Sequence, residues 1–166
     1  MKTRLLLICL LLLTTACGFH LRGSQISKFD INNLYINPSS APRLAKEVKS
    51  QLAGSGGSLA SSSGSASYII TLKEEHFEKS VLSVSADTGK VEEYQIILNA
   101  KLDAAHPDGR SIIENDRVRV TRDFTFDENA VLGKFSEEGV LEDDLIRSAA
   151  SKVLRRLQAL LPAASK

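Results

Sequence analysis

Cysteine is almost absent from this 166-residue chain: Cys9 and Cys17 are the only two, and both lie within the first 17 residues. That excludes a disulfide framework and a cysteine-rich zinc site. Tryptophan is missing and only three Tyr and six Phe are present, too few for an aromatic cage or a base-stacking surface. An excess of one charge is also lacking, with 21 basic against 20 acidic side chains, which speaks against a general nucleic-acid binder. What the chain does have is 43% hydrophobic and 25% charged residues, the make-up of one ordinary globular domain and not of a disordered chain.

The N-terminus is a targeting segment. Lys2 and Arg4 precede an apolar run from Leu5 to Leu13, followed by Thr14-Thr15-Ala16-Cys17. Charge, apolar stretch and small residues in that order make a secretory signal. The run falls well short of the roughly 20 residues that a membrane-spanning helix needs. Thr-Ala-Cys followed by Gly18 resembles a bacterial lipobox, with Thr14 where Leu is commonest. An ordinary signal-peptidase site with an incidental cysteine is the alternative; the lack of any other cysteine in the mature chain favours lipidation of Cys17. One acyl chain holds a protein only marginally, at ~0.8 kcal/mol per buried methylene, whereas several anchor it stably. Gly18 rather than Asp after the cysteine resembles lipoproteins sorted to the outer membrane. Removing residues 1–16 takes away Lys2 and Arg4 and no acid, so the mature domain is near neutral.

Residues 17–33 read as the lipidated N-terminus and a tether, residues 34–162 as a single domain and residues 163–166 as a short tail. Leu34–Asn37 is a short strand closed by Pro38. Ser39-Ser40-Ala41-Pro42 reads as a helix entry with a hydroxyl cap, and Leu44, Val48 and Leu52 follow on one stripe up to Gly54. In residues 54–67, eleven of fourteen are Gly or Ser, which predicts a mobile surface loop. Three strands come next, separated by turns at Ala86-Asp87-Thr88-Gly89 and Pro107-Asp108-Gly109. Tyr94, Ile96, Leu98, Ala100 and Leu102 share one face of the middle strand. Val118, Val120, Phe124 and Phe126 share one face of the last, with Arg117, Arg119, Thr121, Asp123 and Thr125 opposite. A loop is expected through Asp127–Lys134, then a long helix starting between Glu137 and Leu141 and ending near Leu161-Pro162. Its stripe is Leu141, Leu145, Ala149, Val153, Leu157 and Leu160. Acids crowd its start while Lys152, Arg155 and Arg156 sit towards its end, a layout that complements the helix dipole. The expected fold is α/β: a two-layer sandwich with two helices packed on one face of a mixed four-stranded sheet.

Signs of catalysis are missing. There is no G-x-S-x-G elbow, S-x-x-K or H-E-x-x-H motif, and neither Gly89-Lys90 nor Gly133-Lys134 has the upstream glycine of a phosphate loop. His20, His76 and His106 fall in a tether, a strand and a turn, so neither metal ligation nor a cofactor is expected. The acids flanking His76 read as a solvated charged strand, although a hydrolase built on His76 and convergent acids is a further reading. What remains is a set of cations. Arg117 and Arg119 share the wet face of a strand, where paired guanidiniums suit phosphate. Arg122 breaks the apolar face and is expected at a solvent-facing edge. Lys90 follows a hairpin turn and Lys134 ends a loop. Cross-strand pairing with Asp103 or Asp123 is the structural alternative for these cations.

Cys17-Gly18-Phe19-His20-Leu21-Arg22-Gly23 resembles the start of mature members of the LPS-assembly lipoprotein family LptE. Glu93-Tyr94-Gln95 is a second match. Arg122-Asp123-Phe124 through Asp127, then Ala130-Val131-Leu132-Gly133-Lys134 and Glu137-Glu138, is a third. The resemblance implies a non-enzymatic outer-membrane lipoprotein that plugs the lumen of the export β-barrel LptD, helps it assemble and binds lipopolysaccharide on its way to the outer leaflet. It also implies lipopolysaccharide contacts at a hairpin and before the last helix. Lys134 matches the latter position, and at the hairpin this chain has Asp87 with Lys90 the nearest cation. A generic outer-membrane lipoprotein that binds another periplasmic protein or peptidoglycan is the competing expectation.

Overall fold

Alternating apolar residues build the strands and Pro, Gly or Asp end them. In the computed structural model, which describes residues 32–125 and 131–161 (side chains from Glu138 onward in the second stretch), the order is β1 (Leu34–Asn37), α1 (Pro42–Gly54), β2 (Tyr68–Val84), β3 (Val91–Ala105), β4 (Ser111–Thr125) and α2 (Val131–Leu160). The sheet runs β1-β2-β3-β4. β1 lies parallel to β2, with Leu34 opposite Tyr68, and the other neighbours are antiparallel, so the sheet is mixed as expected. Gly89 and Gly109, at φ of 68° and 90°, supply the left-handed turn positions of the two hairpins.

Both helices cover the same sheet face. Leu44, Ala45, Val48 and Leu52 of α1 and Leu145, Ala149, Val153 and Leu157 of α2 meet Ile70, Leu72, Ile96, Leu98, Leu102 and Val118 of the sheet, all essentially without solvent contact. No polar or charged residue is buried among the described residues. The two helices are joined by polar contacts as well: Gln51 Nε2 donates to the Arg147 carbonyl at 3.0 Å, and Ser151 Oγ donates to Gln51 Oε1 at 2.8 Å.

Four local expectations are corrected. The start of α1 carries no hydroxyl cap of its own; Ala41 stands at the cap position. The cap comes from β2, where the register slips between Lys73 and His76 and Glu74 takes a φ of 56°. That bulge turns Glu75 so that its Oε2 accepts from the Leu44 N–H at 2.9 Å, while Ser40 Oγ accepts from the Glu74 N–H at 2.7 Å. Next, α2 begins at Val131, not between Glu137 and Leu141. Gly133 reads as a breaker in the sequence but is carried inside the helix, at a typical cost of about 1 kcal/mol. The acids are therefore not in the first turn, nor the bases in the last. They hold α2 in place instead: Glu142 and Asp143 pair with Arg43 at 2.8 and 3.1 Å, Glu138 with Lys79 at 2.9 Å, and Arg156 with Asp116. Third, Leu160 is half exposed and lies off the buried stripe.

The Gly/Ser tract is the fourth. It follows the free side of β1, where Leu34 N–H donates to the Ser58 carbonyl at 3.1 Å and Ala60 N–H to the Leu34 carbonyl at 2.9 Å. Ser67 N–H donates to the Asn33 carbonyl at 2.8 Å, and Asn33 N–H to Ser58 Oγ at 2.8 Å. Gly57 sits against Leu52 so closely that a Cβ would come within 2.3 Å of its Cδ1. Composition alone does not reveal backbone bonds of this kind.

Candidate functional site

The polar face of the sheet opposite the helices is a lattice of charges. Lys73 pairs with Asp103 at 2.5 Å, Lys101 with Glu74 at 2.7 Å, and Gln95 Nε2 donates to Asp123 Oδ1 at 2.8 Å. The Asp103 carboxyl also accepts from the Asn115 N–H at 2.6 Å. Burial pushes this carboxyl up, but Lys73, the Asn115 amide and Lys101 outweigh that and hold it below its ordinary value. With Asp103 and Asp123 engaged elsewhere, neither compensates Arg117 or Arg119. Among the described residues the guanidiniums of Arg117 and Arg119 form no ion pair.

Arg117 stands opposite Lys101 and Arg119 opposite Asn99. With Glu74, His76 and Glu78 of β2 they line a shallow groove of about 260 Å³. His76 and Glu78, two apart on one strand, do share a face: Nε2 lies 3.1 Å from Glu78 Oε1, and Nδ1 lies 3.0 Å from the Glu74 carbonyl. The Glu74 carbonyl is the largest influence and raises the imidazole above its ordinary value; with Glu78 it outweighs burial, which acts the other way. The groove is lined by charged side chains, with Val118 and Ala100 between them, and carries no hydroxyl or thiol. Among the described residues no group of three His, Cys, Asp or Glu could hold a metal ion.

The other candidate cations lie elsewhere. Arg122 lies on the edge strand β4 with its side chain partly exposed, as expected, and points to the helical side, its Nε 2.7 Å from Asp144 Oδ2 and its Nη2 donating to Ser148 Oγ at 2.9 Å. It clamps α2 to β4. Lys90 sits in the β2–β3 turn, where Ser85 N–H donates to its carbonyl at 2.7 Å. The backbone of Lys134 is in the first turn of α2, at the same end of the sheet, because α2 follows β4 past the Glu93–Thr125 pair. The Lys134 side chain, Cys17 and Phe126 lie outside the described residues. Along β3, Lys90 is about 30 Å from the level of Arg117 and Arg119, at ~3.3 Å per residue. The five cations thus fall into three places: the hairpin end, the polar face and the helical face. Sequence reasoning missed Glu75, whose role depends on a bulge that leaves no period-two signal.

These features define a two-layer sandwich of a kind found in several bacterial lipoproteins. The structure is similar to the solution structure of an uncharacterized lipoprotein B from Nitrosomonas europaea, with a TM-score of 0.69 at 23% identity over 86% of this chain and 91% of that one. It is also similar to the rare lipoprotein B of Shewanella oneidensis, with a TM-score of 0.63 at 23% identity over 77% and 95% of the two chains. A minor lipoprotein of Acinetobacter baumannii gives 0.64 at 21% identity over 81% and 97%.

The sequence goes further than the fold. The LptE family model, described as lipopolysaccharide-assembly, matches residues 25–157. An LPS-assembly lipoprotein LptE of Photorhabdus laumondii subsp. laumondii is 30% identical over 162 residues, 95% of this chain and 87% of that protein. The chain belongs to the LptE family of lipopolysaccharide-assembly lipoproteins.

Proposed function

We propose that this chain is a non-catalytic outer-membrane lipoprotein, acylated on Cys17, that plugs the export barrel LptD, assists its assembly and contacts lipopolysaccharide during delivery to the outer leaflet. Besides family membership, one observation carries this reading: helices cover a single sheet face, and the other is polar, with the Lys73–Asp103 and Lys101–Glu74 pairs beside Arg117 and Arg119, which suits a wet barrel interior. The first strand and the β2–β3 hairpin turn stand at opposite ends of β2. Leu34 is level with Tyr68, while the turn lies 16 residues further along β2, about 50 Å away at ~3.3 Å per residue. A body of that reach exceeds the ~30 Å hydrocarbon core that a barrel crosses.

Lys134 and Lys90 at the hairpin end are the proposed lipopolysaccharide contacts, with Arg117 and Arg119 a separate anionic subsite on the polar face. Arg122 is withdrawn from that set, because Asp144 and Ser148 occupy it. Depletion of the protein is expected to admit large antibiotics that an intact outer membrane excludes; unchanged permeability would turn the reading towards a lipoprotein with another periplasmic partner. Lys134→Glu is expected to weaken lipopolysaccharide binding while complex formation with the barrel persists. Equal binding by the wild type and this variant rejects Lys134 as a contact.

A further inference from the structure

The two edges of the sheet are treated differently. On β4 the outward carbonyls are occupied: Lys152 Nζ donates to the Arg119 carbonyl at 2.9 Å, Arg156 Nη1 to the Arg117 carbonyl at 2.8 Å, and Arg122 Nη1 to the Thr121 carbonyl at 3.1 Å. Three cations thereby close that edge to any further strand. On the other side β1 pairs only with Tyr68–Thr71, and β2 runs on to Val84 without a neighbour among the described residues. Strand alternation fixes which of its groups are free. The outward carbonyls of Arg117, Arg119 and Thr121 leave Val120 facing Leu98. Ile97 then faces Glu78, so Phe77, Lys79 and Val81 turn their N–H and C=O groups away from β3. Beyond Lys79 the edge reads Ser80-Val81-Leu82-Ser83-Val84, without charge, and Val81, Leu82 and Val84 are about half exposed.

We infer that the β2 edge over Phe77–Val84 is a strand-addition site that takes an extended, uncharged segment of the barrel partner; this rests on the reading under Proposed function. Backbone bonds would provide the attachment, and the uncharged Ser80–Val84 part of the edge, with β-branched Val81 and Val84, sets the preference for an uncharged strand. A second copy fits less well. Pairing about Ser80 would set Lys79 against Val81 and Glu78 against Leu82, and an edge this short falls far below the ~1,200 Å² that a stable dimer buries. β1, which begins at Leu34, stands at the Tyr68 end of β2, away from this stretch.

The test is amide hydrogen exchange on the full lipidated chain, alone and co-purified with its barrel. Exchange in peptides covering Phe77–Val84 is expected to slow at least tenfold in the complex. Val81→Pro, which removes an outward N–H, should reduce barrel recovery at least tenfold at unchanged circular dichroism, while Val81→Thr should not. An intact complex without protection at Phe77–Val84 overturns the inference and leaves the plug reading standing. Concentration-dependent protection in the isolated chain overturns it in favour of self-pairing. Failure of the wild type to co-purify takes down both.

Discussion

Glu75 is the residue that joins sheet to helix. Its carboxylate satisfies the Leu44 amide, one of the amides that a helix start leaves without an internal partner. Glu75→Ala is expected to cost about 1 kcal/mol, the usual worth of an N-terminal cap, read as a lower midpoint in urea at unchanged slope. An unchanged midpoint would show that water replaces the carboxylate freely. Asp103 gives a pH signature. Its carboxyl titrates below the ordinary value in the folded state, so its contribution is present above about pH 4 and disappears as pH falls through the folded pKa. Asp103→Asn should therefore be less stable than the wild type at pH 7, with the gap closing on acidification. A gap that persists at pH 2 would mean that the ion pair with Lys73 is not its source.

At the scale of elements, α2 is held by apolar burial and by a row of ion pairs to β2, β4 and α1. Arg122→Ala removes the bonds to Asp144 and Ser148 and should destabilise the fold by about 1 kcal/mol, discounted because the pair is partly exposed. Arg119→Ala should leave stability nearly unchanged, since Lys152 bonds to its backbone carbonyl and not to its side chain. Chemical denaturation of the two variants side by side checks this; equal losses would contradict it. The strands and α1 were legible in the sequence because period two, period 3.6 and turn residues are local signals. The start of α2 was not, because Gly133 and the charges beside it have the composition of a loop. The wet-face placement of Arg117 and Arg119 follows from alternation alone. The partner of Arg122 was hidden, since Asp144 lies 22 residues away on an element whose docking no local pattern encodes. For the same reason the Gly/Ser tract could not be seen to border β1.

For the whole molecule, the proposal joins a lipid anchor to a long, one-sided sandwich. In cells depleted of the barrel, Cys17→Ser is expected to be exported but released from membranes by salt, because only acyl chains bury enough methylenes to hold a near-neutral domain at the bilayer. Retention on salt-washed membranes would point to another mode of attachment. The most direct measurement is the composition of the particle recovered when this chain is purified from outer membranes in mild detergent. A stoichiometric complex with the lipopolysaccharide-export barrel, surviving gel filtration, is the predicted result. Recovery of the chain alone, with the barrel eluting fully assembled without it, would contradict the account.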